Sequence, residues 1–444
     1  MSVRVLTGDC RDVLPTLAAG SVHCVVTSPP YFNLRDYGHA GQIGLEASPD
    51  EFVAAMVEVF REVRRVLRDD GVAWLVLGDS YASTAQGTRN TADFLAGGGA
   101  AERAMLRPVV GLDGGNMLGI PWRTALALQA DGWTLRQAVT WAKVAPMPES
   151  VAGTRWERCR VKTSSIAGGG KQPTNAGSLT AQSGGTALSE WADCPGCPRC
   201  AATDGYVLRR GSWRHTSATE MVFMLTKGMA YWANQEAVRE PNSANSHGGQ
   251  PIEGGPKQAA IGQQIGGAMG LNFAGRNPRN WVTPSPSPFP GAHFATFSPH
   301  LIEPFIKATC PAKCCPTCGA GWAPVVERGG GQKNEGPKLA ALAASGIVSN
   351  GTNGSTLGLS GSSAGWAEHG ARSTVLGYRP TCSCPLAAPV PGTCLDPFAG
   401  AGTTLLVADR LGLNGVGIEL NPAYAEMAER RIYADAPLFA EVLS

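Results

Sequence analysis

The sequence predicts an α/β fold: an open, largely parallel sheet of buried strands with helices packed on it, interrupted by insertions. Three observations carry this. Short apolar runs at residues 3–6, 23–27, 72–77, 394–396 and 415–419 each end in a cluster of Gly, Pro or polar residues. Segments between several of them are periodic in the helical rather than the alternating sense. Gly (57) and Pro (32) make up about a fifth of the 444 residues and are clustered, which reads as long loops set into a compact scaffold.

Taken in order, residues 3–6 give a strand ending at Gly8-Asp9, and residues 23–27 (HCVVT) a strand ending at Ser28-Pro29-Pro30-Tyr31. Residues 50–68 form a helix. Ser48 and Glu51 make a capping box with Pro49 at the first helical position. The apolar face runs Phe52, Val53, Met56, Val57, Phe60, Val63, Leu67, and Asp69-Asp70-Gly71 stops it. Residues 72–77 (VAWLVL) are a buried strand ending at Gly78-Asp79. Residues 82–116, rich in Gly, Ala and Thr, read as a loop; residues 120–130 form a helix and 137–141 a strand. Residues 150–215 read as an insertion, basic and Ser/Gly-rich, and 220–226 (EMVFMLT) as a further strand. No internal repeat is present.

Composition narrows the class. With 43% hydrophobic and 16% charged residues the chain has a buried core. The net charge of +2 announces no global nucleic-acid binder, so any DNA-binding face is local. The start MSVRVLTGDC lacks the features of a signal peptide, and no run of about 18 apolar residues suggests a membrane span. Thirteen cysteines, many in tight pairs, read as metal ligands before disulfides, and the expected compartment is the cytoplasm.

The strongest motif is CLDPFAGAGTT at residues 394–404. A strand ends at Asp396, a glycine-containing loop follows, and a helix begins near Thr403. Gly400 and Gly402 lack a Cβ, so backbone can approach a ligand. The helix start supplies free N–H donors suited to a carboxylate. Glu419 ends the next strand 23 residues after Asp396. An acid about 20 residues past a glycine loop is placed to bind ribose hydroxyls. Asn421-Pro422 then opens the last helix.

The second motif is TSPPYF at residues 27–32. An amine conjugated to a heteroaromatic ring is a poor nucleophile, because its lone pair is delocalised. Acceptors that draw its hydrogens out of plane restore nucleophilicity. The Pro29 carbonyl and Ser28 hydroxyl are candidates, and the prolines stiffen the loop that aims them. Tyr31 offers a flat face on which an extruded base can stack.

The strings DPFAGAGTT and GVGIELNP, with TSPPYF ahead of them, resemble the SAM-dependent DNA amino-methyltransferases. The order resembles the permuted beta group, in which the catalytic loop precedes the cofactor loop. The resemblance spans most of the chain outside the insertions. It implies a Rossmann-like methyltransferase fold in circularly permuted motif order, with Cys-rich, zinc ribbon-like insertions. It implies S-adenosylmethionine as cofactor, double-stranded DNA as substrate and no membrane. Catalytic carry-over falls on Ser28, Pro29, Pro30 and Tyr31. Cofactor carry-over falls on Asp9, Phe297, Asp396, Pro397, Phe398, Gly400, Gly402, Thr403, Glu419 and Asn421. The implied division is 1–150 (catalytic-loop half), 151–215 (Cys-containing insertion), 216–239 (scaffold strand), 240–291 (target recognition), 292–309 (cofactor cover), 310–390 (zinc insertion) and 391–444 (cofactor half).

In that family Ser at the head of the tetrapeptide goes more often with cytosine N4 than with adenine N6. Carbon-5 methylation is disfavoured separately, because it needs a covalent cysteine nucleophile. Enzymes of that kind carry a Pro-Cys dipeptide, and this chain has none. Adenine N6 is the runner-up, a planar NH₂ of protein or RNA a more distant substrate, and a catalytically inactive zinc-containing DNA-binding scaffold the non-enzyme alternative. A cognate restriction endonuclease and the oligomeric state, monomer or homodimer, stay open.

Cys315, Cys318, Cys382 and Cys384 supply the four thiolates of a closed tetrahedral zinc site, with Cys310 or Cys314 as substitutes. Cys159, Cys194, Cys197 and Cys200 form a second set. Such sites are structural. Cys10, Cys24 and Cys394 read as buried small hydrophobes. Lys257, Arg276, Asn277, Arg279, Asn280 and Trp281 are candidates for reading base edges. The stretches 155–171 and 209–214 are candidates for phosphate contact.

Overall fold

A computed structural model describes residues 2–34, 39, 41–82, 87–90, 103–106, 111–146, 153–165, 189–240, 276–285, 297–328, 373–435 and 442–443. The chain divides into two compact units, residues 1–144 with 219–444, and residues 145–218.

The larger unit is built on one sheet of nine strands. In chain order these are β1 (Val3–Thr7), β2 (Val22–Thr27), β3 (Leu67–Leu77), β4 (Thr134–Ala142), β5 (Thr219–Thr226), β6 (Trp281–Val282), β7 (Thr393–Asp396), β8 (Asn414–Glu419) and β9 (Val442–Leu443). Across the sheet the order is β6-β4-β5-β3-β2-β7-β8-β1-β9. Every neighbouring pair is parallel except those made by β5, which runs antiparallel to both β3 and β4. The strand preceding the glycine loop, β7, lies beside the central strand β2, with Cys394 next to Cys24 and Leu395 next to Val25.

Side chains on the central strands alternate between two cores, as the period of two requires. Val25, Ala73, Leu75 and Leu77 face α2 (Pro49–Val66) and α3 (Ile120–Ala130). Cys24, Val26, Val72, Trp74 and Val76 face α4 (Pro299–Thr309) and α5 (Thr403–Arg410). Val3 and Val5 pack with Leu405 and Leu406 of α5 and with Ala425, Ala428 and Ile432 of α6 (Pro422–Asp435). Both faces of the sheet are therefore covered, which is why its strands read as continuous apolar runs.

Half of the predicted capping box of α2 forms: the Ser48 side chain accepts from the Glu51 amide at 3.2 Å, while the Glu51 carboxylate accepts from the Ala47 amide at 3.0 Å instead of that of Ser48. The stop does not lie where the sequence put it. The helix ends at Val66 and β3 starts at once, so Asp69-Asp70-Gly71 belongs to the strand. The strand tolerates these acids because Arg68 pairs with Asp70 at 2.8 Å and Lys227 with Asp69 at 3.0 Å. Within the predicted loop 82–116, Gly87–Asn90 and Arg103–Leu106 pair as antiparallel strands. Cys10, Cys24 and Cys394 are buried, as predicted.

The smaller unit holds two antiparallel ribbons: Arg155–Arg158 with Tyr206–Arg209, and Arg160–Ser165 with Ser189–Asp193. No helix among the described residues is long and apolar enough to cross a membrane.

Candidate active site and metal centres

The strands β2, β7, β8 and β1 are consecutive in the sheet, and the residues just beyond their carboxyl ends line one cleft. Open α/β sheets present ligand sites at that edge. The cleft encloses about 1110 Å³ including its open mouth. Gly8 and Asp9 come from β1, Ser28, Pro29, Pro30 and Tyr31 from β2, Pro397, Phe398, Gly400 and Thr403 from β7, and Glu419 and Asn421 from β8. Phe297, buried in the core on the α4 side, closes one wall. Catalytic-loop and glycine-loop candidates, more than 360 residues apart in sequence, thus share one space.

Two predicted cofactor contacts, Asp396 and Gly402, are not among the lining residues. Asp396 is 1% exposed and lies beneath the loop. It accepts from the Thr27 hydroxyl at 2.6 Å and the Phe398 amide at 3.0 Å through Oδ1, and from the Thr404 hydroxyl at 2.7 Å through Oδ2. Burial outweighs these bonds and pushes its carboxyl up to about 6. Gly402 takes φ of 72°, and a Cβ there would come within 2.8 Å of the Ala428 Cβ. That glycine serves close packing of the loop against α6.

Glu419 joins the loop to the end of β8. Oε2 accepts from the Gly400 amide at 2.7 Å and Oε1 from the Asn421 amide at 2.9 Å. Burial raises its carboxyl above the usual range. Asp9 caps the short helix α1 (Cys10–Val13), its carboxylate accepting from the Arg11 amide at 2.9 Å. The Arg11 guanidinium also binds it and holds it below the usual carboxylate range.

The loop of Ser28 to Tyr31 is fixed from behind. The Tyr31 ring lies against Gly78, where a Cβ would meet ring carbon Cε2 at 2.5 Å. The Tyr31 hydroxyl donates to the Glu220 carboxylate, which also pairs with Lys143. Glu220 is buried, and it and Lys143 stand at the facing ends of β5 and β4. Gly78-Asp79, which follows β3, does not line the cleft. Instead Gly78 backs Tyr31, and Asp79 caps α3, accepting from the Gly119 and Ile120 amides at 3.0 and 3.1 Å.

Several lining residues were not anticipated: His39, Gln42, Ile43 and Tyr424. None belongs to a spaced motif, so the sequence carried no signal for them. Glu220 did carry one, being a lone acid opening an otherwise apolar strand.

Both thiol sets assemble. Cys159, Cys194, Cys197 and Cys200 have their sulfurs within 4.8 Å of one another in the smaller unit, and Cys315, Cys318, Cys382 and Cys384 do so in the larger. Two separations in the first set are 3.8 and 3.6 Å. A tetrahedral zinc with sulfurs about 2.3 Å away would set them about 3.8 Å apart, so the donor set fits. The amides of Cys318 and Thr317 bring the Cys315 thiol down to about 6, and the Arg199 amide brings Cys197 to about 7. The substitutes considered for the set of Cys315, Cys318, Cys382 and Cys384 fall outside it: Cys310 and Cys314 are buried, and burial pushes both thiols up.

Of the base-reading candidates, Lys257 lies outside the described residues. Arg276 and Arg279 both pair with Glu240, at 3.0 and 3.4 Å. Trp281 is exposed on the edge strand β6, and the Asn280 carbonyl beside it accepts from Thr140 at 2.9 Å.

Comparison with known proteins adds four findings. The family model for DNA methylase matches residues 22–313 and 386–430, and the gap between its two blocks holds Cys315, Cys318, Cys382 and Cys384. The Type II methyltransferase M.XycI of Xanthomonas campestris pv. cyanopsidis is 35% identical over 310 residues, covering 68% of this chain and 71% of the relative. M.SmaI of Serratia marcescens, likewise a Type II methyltransferase, is 28% identical over 434 residues, covering 97% and 91%. Among solved structures, the PvuII DNA methyltransferase (cytosine-N4-specific) covers 97% of this chain and 86% of its own at 14% identity, with a TM-score of 0.42.

Proposed function

The chain belongs to the DNA methylase family, the SAM-dependent amino-methyltransferases of DNA, and on that premise we propose that it methylates N4 of a cytosine extruded from double-stranded DNA. The observation that carries this is the shared cleft, in which Ser28 to Tyr31 stand beside the glycine loop and Glu419.

S-adenosylmethionine supplies an electrophilic methyl group on a sulfonium when bound. The chain's residues hold it and prepare the amine. Each Glu419 oxygen is fixed by one amide and keeps a lone pair for a ribose hydroxyl. Phe297 and Phe398 offer apolar surface to a purine ring. The Pro29 carbonyl and Ser28 hydroxyl accept from the two amine hydrogens and raise the nitrogen's nucleophilicity. Tyr31, locked by Gly78 and Glu220, stacks on the base. The acceleration is positional and electrostatic.

Ser28 at the head of the tetrapeptide supports cytosine N4 over adenine N6, which is the alternative substrate atom in the same site. Each thiol set would hold one zinc through four protein ligands, which leaves no open position and gives the metal a structural role.

The test is nucleoside mass spectrometry after incubation with unmethylated DNA and labelled S-adenosylmethionine. N4-methylcytosine is the expected product. N6-methyladenine would keep the site and overturn the base. No labelled base, with cofactor still bound, would overturn catalysis on DNA.

A further inference from the structure

We propose that the ribbon Arg155–Arg158 with Tyr206–Arg209 in the smaller unit is a second DNA-docking face, kept in shape by the thiol set Cys159, Cys194, Cys197 and Cys200. The proposal rests on DNA as substrate and adds a grip distinct from the catalytic cleft.

The register defines the face. Trp156 stands opposite Leu208 and Arg158 opposite Tyr206. Side chains two apart share a face, so these four project together. Trp156 is 56% exposed, Leu208 38% and Tyr206 37%. The opposite face holds Val207, which is buried, and Glu157, which pairs with Arg155 and Arg209. One side is thus already satisfied, while the other presents aromatic and aliphatic surface to solvent. Exposed apolar clusters of this kind mark interaction sites.

Charge selects the partner. Residues 145–218 carry nine Lys and Arg against five Asp and Glu, an excess of four in a chain whose net charge is +2. A polyanion fits that balance better than an apolar protein face does. The Arg158 guanidinium lies 5.2 Å from the Tyr206 ring centroid, a cation–π contact, and it carries N–H donors of the kind that bind phosphate or guanine. A two-stranded ribbon also has the width that the major groove of duplex DNA admits.

The thiol set controls the shape of this face. Cys159 directly follows Arg158, donates its amide to Gly205 at 2.8 Å, and accepts from the Cys194 amide at 2.8 Å. A metal held there clamps the two strand ends that carry Arg158 and Tyr206.

The experiment uses the full chain. Binding to a fluorescein-labelled duplex of mixed sequence is measured by anisotropy across a salt series, for the wild type and for Trp156→Ala with Arg158→Ala. Calorimetry with S-adenosylmethionine and thermal unfolding run alongside. The variant is expected to bind the duplex about 10-fold more weakly, with the slope of log affinity against log salt reduced by about one. Cofactor affinity and unfolding midpoint stay unchanged, because both side chains are exposed. Cys197→Ser, which removes a zinc ligand, is expected to lose the same affinity. Unchanged duplex binding in both variants would overturn the proposal. So would a wild-type dimer that dissociates on Trp156→Ala, because the face would then serve self-association. The readout needs no methyl transfer, so a wild type that grips DNA through this ribbon but methylates no base would sink the functional reading and leave the docking face standing.

Discussion

The Glu419 carboxylate accepts a hydrogen bond from the Gly400 amide at 2.7 Å, so the acid ending β8 and the glycine loop after β7 form one unit. Removing the acid breaks both this bond and the one to Asn421. Charged hydrogen bonds contribute about 1.5–3 kcal/mol each.

Glu419→Ala should therefore weaken S-adenosylmethionine binding by about 10–100-fold, measured by calorimetry. Wild-type affinity in a folded variant would remove Glu419 from the cofactor site.

Asp396 makes the stability of the larger unit pH-dependent in an unusual sense. Its carboxyl titrates near 6, above the ordinary 3.8, so the folded state binds the proton more tightly than the unfolded chain. The sign follows: the contribution is most favourable below the unfolded value and is lost as pH rises through the folded one. The loss amounts to about 3 kcal/mol. Asn at this position can keep the pattern without a charge. Its amide would donate to the Thr404 hydroxyl, which already lies 3.1 Å from the Val26 carbonyl and can donate there instead. Asp396→Asn should gain on the wild type by about 2 kcal/mol between pH 4.5 and pH 7.5 in urea unfolding, about 1 kcal/mol of the loss being present already at pH 4.5. A stability gap that does not change with pH would show that Asp396 is not the titrating group.

What was legible in the sequence is what local chemistry dictates. The Ser48 cap, the glycine loop and the acid at 419 are spaced motifs, and each lies where its spacing placed it. Apolar runs marked the strands because both faces of the sheet are buried. The antiparallel sense of β5 was not legible, since an apolar run carries no direction. Asp396 was read as a ligand contact, yet its bonds to Thr27 and Thr404 turn it inward. Residues such as His39 and Tyr424 reach the cleft only through tertiary folding. The smaller unit, residues 145–218, extends a few residues beyond the predicted insertion 151–215 at each end.

Zinc content tests the thiol sets one at a time. The purified chain should carry two zinc ions by mass spectrometric metal analysis, one for each four-sulfur cluster. Cys315→Ser and Cys197→Ser should each carry one, and the double variant none. A single zinc in the wild type that persists in both single variants would refute the assignment of one ion to each set.

The tightest contact behind the catalytic loop yields the last prediction. A Cβ at Gly78 would lie 2.5 Å from a Tyr31 ring carbon, and the hydroxyl of that ring is anchored on Glu220. Gly78→Ala must push the ring off its seat, since the ring is rigid and β3 is fixed in the sheet. Misplacing a positioning group by about 1 Å can cost about 100-fold in rate. The expected result is a fall in kcat of about that size with S-adenosylmethionine affinity unchanged, because Gly78 does not line the cleft. Glu220→Gln separates anchor from charge. Its amide oxygen can still accept from Tyr31, while the ion pair with Lys143 is lost. It should retain most of kcat, whereas Glu220→Ala should fall toward Gly78→Ala. Equal losses in the Gln and Ala variants would show that the Lys143 pair, rather than the Tyr31 anchor, is what the reaction needs.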